Sequence, residues 1–277
     1  MRIGKSAPWI ATALAIAVGV GTASAADLAV KAPPALPAAP AYNWSGFYAG
    51  LNVGGSWGNA NDTFNTNVPA VPALSQTVAA DVARVDGAIG GGQLGYNLQA
   101  GGFVFGLESD VQGLAVGVSE ANWFAASPRT YVQGVRSQHN LGTVRGRAGF
   151  LVTPTLLTYA TAGLAYGEAD LSAAWFSPSL APKLNGGGTA YGYQDMRTGW
   201  TGGGGVEWMF LPKWSAKIEY LYYDLGTVTT LPLQAVYASK GLFSNASYQG
   251  RFNGDVIRAG VDYHFGWGAL PPLADKF

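Results

Sequence analysis

Apolar and polar residues alternate with a period of two along most of the chain from residue 44 onward. Within residues 256–265, Ile257 and Val261 alternate with Arg258 and Asp262. This pattern predicts a β-strand with one apolar face and one polar face. Eight segments follow the pattern closely or approximately: 44–58, 87–100, 103–117, 139–152, 156–170, 195–211, 215–223 and 256–265. The sequence therefore predicts an all-β fold.

The connections between these segments alternate between short and long. The short ones contain the turn formers Gly101-Gly102, Thr153-Pro154 and Pro212-Lys213. The long ones are rich in small and polar residues and include 59–86, 118–134, 171–194 and 227–253. An even strand number with this asymmetry predicts an eight-stranded antiparallel transmembrane β-barrel with short periplasmic turns and long external loops.

Charge is scarce for an ordinary soluble surface. Charged residues make up 12% of the 277 residues, about half the share of a typical soluble domain. Beyond the N-terminal region no apolar run is long enough for a transmembrane helix, and a closed barrel is the other structure that satisfies its backbone in lipid. The absence of cysteine excludes disulfides and cysteine-based sites, and 16 basic against 16 acidic residues give no footprint for nucleic acid.

The N-terminus has the three parts of a secretory signal peptide. Arg2 and Lys5 precede an apolar stretch over residues 9–20, which ends before the small residues of a cleavage site. We expect cleavage between Ala25 and Ala26; an uncleaved membrane anchor is the alternative. The predicted organisation is a signal peptide at 1–25, an Ala/Pro-rich periplasmic linker at 26–43, a barrel at 44–266 and a tail at 267–277.

Aromatic residues cluster at the two ends of the predicted strands, as they do at the interfaces of a bilayer. Pairing of aromatics inside a soluble β-sandwich is the alternative. The predicted aromatic girdle contains Trp44, Phe47, Phe103, Phe105, Phe150, Trp208, Phe210, Trp214 and Phe265 at the periplasmic end, and Trp57, Tyr166, Trp200 and Tyr222 at the outer end.

Three motifs and the start of the linker carry a family resemblance. They are AADL at 25–28, YNWSGFYAGLNVGG at 42–55, YATAGLAYG at 159–167 and VIRAGVDYHF at 256–265. In this order they resemble the small outer-membrane immunogenic proteins of alpha-proteobacteria, members of the opacity-like barrels that are often described as porins. The resemblance implies a surface-exposed barrel in the outer membrane of a Gram-negative bacterium, in contact with outer-membrane lipid and the β-barrel assembly machinery.

The C-terminal tail departs from the common pattern of such barrels, which end on the aromatic residue of the last strand. Here Phe265 is followed by a tail with two prolines, which cannot continue a strand. Either Phe265 or the terminal Phe277 could be the aromatic that the assembly machinery reads. We expect Phe265 to matter more for closure, because it lies in period with Val261 and Tyr263.

Ten charged residues fall on the polar face of the strands, which would face the interior of the barrel. They are Glu108, Asp110, Glu207, Glu219 and Asp262, against Arg145, Arg147, Arg197, Lys217 and Arg258. An eight-stranded barrel is only wide enough for its own side chains, so we expect these charges to neutralise one another and plug the lumen. A narrow or gated diffusion pore is the alternative.

The remaining alternatives concern the long loops and chemistry at the rim. Aromatic residues in the loops leave open adhesion to a host surface or binding of a haem-type ligand, against loops that simply fold over the barrel. His139 could act as a general base in an outer-membrane lipid hydrolase, but the sequence carries no matching serine pattern. With His139 and His264 predicted at opposite ends, we expect no metal site, no cofactor and no enzymatic activity.

Overall fold

The computed structural model describes residues 42–58, 62–67, 76–79, 86–116, 119–124, 131–176, 188–230, 233–237 and 242–266. The predicted cleavage site at Ala25 and Ala26, the linker before residue 42 and Phe277 lie outside these residues. Within the described part of the chain, no helix is both long enough and apolar enough to cross a membrane.

Thirteen β-strands make up the described secondary structure. They are β1 (Gly46–Gly58), β2 (Thr63–Asn67), β3 (Gln76–Ala79), β4 (Asp86–Ala100), β5 (Phe103–Val116), β6 (Ser119–Phe124), β7 (Tyr131–Ser137), β8 (Asn140–Thr153), β9 (Leu156–Phe176), β10 (Gly188–Leu211), β11 (Trp214–Thr229), β12 (Leu233–Tyr237) and β13 (Leu242–His264).

Eight of these strands form a closed antiparallel ring in the order β1-β4-β5-β8-β9-β10-β11-β13, and β13 pairs with β1 to complete it. The closing register runs from Tyr48 opposite His264 to Gly58 opposite Gly254. A closed ring leaves no unpaired strand edge, which is the condition for a sheet to lie in lipid. The predicted eight-stranded antiparallel barrel is confirmed.

Glycine allows the strands of this small ring to approach one another closely. A Cβ atom at Gly50 would overlap the Asp262 carboxylate, and one at Gly203 would overlap the backbone oxygen of Tyr220. The tight turn between β4 and β5 contains Gly101 with φ of 57°. This conformation is energetically unfavourable for any residue that carries a side chain. The high glycine content thus serves curvature and turns at identifiable positions.

The long connections contain strands that the sequence did not predict. β2, β3, β6, β7 and β12 all lie in them, and β9 and β10 continue past their predicted ends until Phe176 pairs with Gly188. The prediction that these segments are loops was wrong at these places. β2, β7 and β12 pair with the parts of β13 and β9 that continue beyond the closed ring, and β3 and β6 pair with β2 and β7. Such pairing does not require alternating apolar residues.

The outer surface of the ring is apolar at its middle and aromatic at both ends. Leu51 and Ile218, for example, are 74% and 65% exposed. Toward the short turns the outward aromatic side chains are Phe47, Phe103, Phe105, Phe150, Trp208, Phe210, Trp214 and Phe265; toward the long connections they are Trp57, Tyr166, Trp200 and Tyr222. The charged side chains at the middle of the same strands point into the ring.

Candidate functional site

The interior of the ring holds a layer of buried charges at mid-height. Five strands contribute to it, because each places alternate side chains on its inner face. We call this layer the lumen charge network; it consists of Glu108 and Asp110 from β5, Arg145 and Arg147 from β8, Glu207 from β10, Lys217 and Glu219 from β11, and Arg258 and Asp262 from β13. None of these residues is more than 4% exposed.

Arg145 links three carboxylates. Its Nη2 lies 2.5 Å from Glu108 Oε1 and 2.9 Å from Asp110 Oδ2, while its Nη1 lies 2.9 Å from Glu219 Oε1. The remaining donor, Nε, reaches the hydroxyl of Thr143 at 2.9 Å. The planar fork of the guanidinium therefore has a partner on each nitrogen, which is how a buried arginine avoids the cost of an unpaired charge.

Two further bases cross the lumen. Lys217 Nζ lies 2.8 Å from Glu108 Oε2, and the strands that carry these residues, β11 and β5, are four places apart in either direction around the ring. Arg258 reaches Glu219 at 2.6 Å and Asp110 at 3.0 Å. The Lys217–Glu108 and Arg258–Asp110 bridges span the lumen, whereas Glu219 lies directly opposite Arg258 on the neighbouring strand. The spanning side chains occupy the middle of the cross-section.

A second branch of the network lies nearer the short turns. Arg147 Nη2 donates to Glu207 at 2.6 Å, and its guanidinium lies 4.1 Å from the ring centroid of Tyr159. Glu207 also accepts a hydrogen bond from Ser215 at 2.6 Å and lies 3.4 Å from His264 Nε2. Tyr and His side chains thus extend the network toward this end of the barrel.

Apolar layers lie on both sides of the charges. On the side of the long connections the cluster contains Phe64, Ile89, Leu114, Leu141, Leu171, Leu221, Leu225, Val228, Tyr248, Phe252 and Val256 with three alanines and Tyr223. On the side of the short turns a smaller cluster contains Trp44, Val104, Leu157, Tyr159 and Met209. The charges are therefore enclosed from both ends by packed apolar side chains.

Trp44 is not part of the aromatic girdle, contrary to the prediction from its position. Its side chain is fully buried inside the end of the barrel, and its Nε1 donates to the backbone oxygen of Pro154 at 3.1 Å. The indole also meets the ring of His264 edge-on, with centroids 5.8 Å apart. Residues before β1 are free of the strand pairing, so the chain can fold under the barrel and bury the indole.

Arg197 is the other predicted site residue that the structure places elsewhere. It lies on β10 near the outer end of the ring, where Nη2 donates to the backbone oxygen of Thr227 at 3.3 Å. Among the described residues it forms no ion pair with the nine members of the lumen charge network. Five carboxylates therefore face four bases, with His264 beside Glu207.

A buried polar triad ties together the part of the molecule formed by the long connections. Tyr248 on β13 donates to Asp62 Oδ2 at 2.5 Å, and Arg136 on β7 donates to Asp62 Oδ1 at 3.2 Å. The ring of Tyr248 stacks on Phe64, and Arg136 lies over the ring of Phe252. Burial and the Asp62 carboxylate raise the pKa of Tyr248 above its usual range. We call Asp62, Arg136 and Tyr248 the outer latch; no pattern in the sequence links them.

At the outer rim, the side chains around His139 are not arranged as a catalytic triad. Ser137 Oγ and His139 Nε2 both contact the same oxygen of Asp170, at 3.4 Å and 3.6 Å. A serine nucleophile needs the imidazole between itself and the carboxylate. Here the carboxylate stands between the two. No group of three or more His, Asp and Glu side chains is placed to hold a metal ion in the part of the chain that the structure covers.

Comparison with known proteins agrees with this geometry. The family model described as outer membrane protein beta-barrel domain matches residues 13–265. The chain belongs to this family. It is an outer-membrane β-barrel protein of a Gram-negative bacterium, as its resemblance to the immunogenic outer-membrane barrels implied.

The relatives of this barrel are outer-membrane proteins. The 31 kDa outer-membrane immunogenic protein of Brucella melitensis is 32% identical over 88% of this chain and 94% of its own length. The 22 kDa outer membrane protein of Rhizobium leguminosarum is 31% identical over 68% of this chain and 67% of its own. Among solved structures, Neisserial surface protein A is 12% identical over 80% of this chain and 98% of its own, with a TM-score of 0.35.

Proposed function

We propose that this protein is an integral outer-membrane barrel with a structural and surface-exposed role, that its own side chains close its lumen, and that it catalyses no reaction. The observation that carries the proposal is the Glu108–Lys217 ion pair, which spans the ring at 2.8 Å. An eight-stranded barrel has room for little more than its side chains. Ion pairs across the middle and apolar layers at both ends leave no room for a hydrated path through which solutes could pass.

Planar-bilayer recordings of the purified, refolded protein test the closed lumen. We expect no long-lived conductance steps from the wild type. The double variant Glu108→Ser/Lys217→Ser removes one charge of each sign and shortens both side chains of the bridge, so we expect brief openings from it. Ser109→Ala, which changes an outward side chain of the same strand, serves as the matched control. Large, stable steps from the wild type would instead establish a diffusion pore.

The proposed surface role is supported by strands that continue well beyond the lipid-facing part of the barrel. β9 and β10 remain paired as far as Phe176 and Gly188, and β7 lies beside β9 from Tyr131 to Ser137. A paired platform of this length presents the connections of the chain to the outside of the cell.

Epitope tags test which end is exposed. We expect a tag within 177–187 to be detected on intact cells, and a tag between Gly101 and Gly102 to be detected only after the outer membrane is permeabilised. The reverse result would invert the proposed orientation.

We further infer that export removes residues 1–25, so that the mature chain begins at Ala26 and residues 26–43 form a linker in the periplasm. The charged and apolar parts of residues 1–25 support this. N-terminal sequencing of protein from outer membranes tests it; a chain that retains Arg2 and Lys5 would contradict cleavage.

A further inference from the structure

The lipid-facing wall of the barrel contains a concave apolar groove with a volume of about 630 Å³. It crosses four consecutive ring strands, β10, β11, β13 and β1. We call it the wall groove. Its outward lining includes Leu51, Val206, Ala216, Ile218, Ala259 and Val261.

The wall groove follows from two alanines placed among large side chains. In one row of paired residues, Ala259 lies between Val53 and Ile218. In the next row toward the short turns, Ala216 lies between Val261 and Trp208. The two small side chains fall on adjacent strands, so they form one continuous depression rather than two separate dimples.

The position of the wall groove places it in the periplasmic half of the membrane. Directly toward the short turns lies a row of packed aromatic rings, in which Trp214 and Tyr263 have centroids 5.0 Å apart and Tyr263 and Phe265 have centroids 5.1 Å apart. Aromatic rings of this kind mark the level of the lipid headgroups. The wall groove therefore begins where the acyl chains of the periplasmic leaflet begin.

A positive charge stands at the headgroup level beside the wall groove. Of the three short turns that the structure describes, only the one between β10 and β11 contains a charged residue, Lys213, and its side chain is exposed. Lys213 precedes Ala216 by three residues, or about 10 Å along a strand. A lysine at this depth attracts anionic headgroups.

We propose that the wall groove holds an acyl chain of an anionic phospholipid of the periplasmic leaflet, and that Lys213 contacts the phosphate of its headgroup. A second copy of the chain fits the surface less well. A two-fold interface would bring the same patch together from both sides, and two facing depressions leave a void between them. A flexible acyl chain, in contrast, follows a shallow curved groove.

Native mass spectrometry of the detergent-purified barrel tests the proposal, with dimyristoyl phosphatidylglycerol and dimyristoyl phosphatidylcholine as probes. We expect the wild type to retain one phosphatidylglycerol in preference to phosphatidylcholine. Ala216→Leu and Ala259→Leu fill the wall groove and should abolish retention of both lipids. Lys213→Gln should lower the preference for the anionic lipid by about fivefold, the effect of one lysine near a charged headgroup.

Ala162→Leu is the matched control, since Ala162 is an exposed outward alanine of β9 away from the wall groove. Heat-modifiable migration on gels verifies that each variant is folded. Equal retention by the wild type and both groove-filling variants would overturn the proposal. A wild-type dimer that dissociates in those variants without any bound lipid would also overturn it, in favour of a second copy.

Discussion

The indole of Trp44 closes the turn end of the interior, while the aromatic residues that follow it in the girdle face outward. Its residue type favoured a place at the membrane interface, and this led the sequence-based prediction astray. The parity of β1 contains the correct signal, because Trp44 lies an even number of residues before Tyr48, whose side chain points inward and is fully buried. Where residue type and strand parity disagree next to a barrel strand, parity is the better guide.

Trp44→Ala should destabilise the barrel without making it conduct. The substitution removes a large, fully buried side chain and one hydrogen bond, so we expect a loss of about 3–5 kcal/mol in the free energy of unfolding. Urea unfolding in detergent micelles measures it, with the lipid-facing Trp214→Ala as the control that should lose less. The lumen charge network remains in place, so long-lived conductance of the variant would show that the indole alone seals the barrel.

Tyr248→Phe should loosen the outer latch. The phenol is the closer of the two donors to Asp62, and its loss leaves that buried carboxylate with Arg136, at an expected cost of about 1–2 kcal/mol. Hydrogen exchange of β2 measures the change, and Tyr193→Phe, which removes an exposed bond to Asp195, is the control. Exchange of β2 as slow as in the wild type would show that Phe64 packing alone holds this strand.

The raised pKa of Tyr248 predicts how the outer latch depends on alkali. A group whose pKa is higher in the folded state contributes fully below its unfolded value, here 10.0, and loses that contribution as pH rises through the folded value. Protection of β2 relative to Tyr248→Phe should therefore stay constant from about pH 6 to 9. A difference that disappears within this range would show that the pKa of the phenol is lowered in the folded state instead of raised.

At the scale of elements, the eight ring strands were predictable and the outer strands were not. Lipid on one side and a packed interior on the other impose a period of two on every ring strand. β2 pairs with β13 where neither face meets lipid, so Thr63–Asn67 carries no such pattern. The alternation along a strand predicts whether a side chain faces the lumen or the lipid, but not how far along the barrel it lies. Arg197 lies in register with the inward residues of β10 yet is located at the rim, outside the lumen charge network.

The last strand should close the barrel without the C-terminal tail. The backbone N–H of Phe265 donates to the oxygen of Phe47 at 2.8 Å, which extends the pairing of β1 and β13 by one residue beyond His264. We expect a chain truncated after Trp267 to retain heat-modifiable migration in membrane extracts. Phe265→Ala in the full-length chain should reduce the folded fraction, whereas Phe277→Ala should not. Complete loss of the folded barrel on truncation would assign the assembly signal to Phe277 instead.

At the scale of the whole molecule, the scarcity of charge in the sequence reflects how charge is distributed. The lipid-facing surface excludes charge, and nine charged side chains are gathered in the lumen charge network, where each has an opposite partner. Such a network contributes less to stability than its many bonds suggest, because every charge must first leave water. The network matters more when one member is removed, because a buried charge then loses an opposite partner and the folded state is destabilised.

Arg147 and Glu207 offer a pair on which this cost can be measured. Arg147→Met leaves the buried Glu207 carboxylate without its arginine. Glu207→Gln removes the closest carboxylate of the guanidinium, which keeps only the longer contact to Glu108 at 3.6 Å. Each substitution should lower the free energy of unfolding by about 3–5 kcal/mol. The double variant removes both charges and should be more stable than the sum of the two losses predicts, with a coupling of about 2–3 kcal/mol in urea unfolding. Arg251 and Asp224 supply the control cycle, since their ion pair is exposed at the arginine and its coupling should be smaller and weakened by salt. Additive losses in the Arg147–Glu207 cycle would mean that water or the neighbouring Ser215 and His264 compensate each charge separately, and that the lumen is less tightly packed than the ion pairs across it indicate.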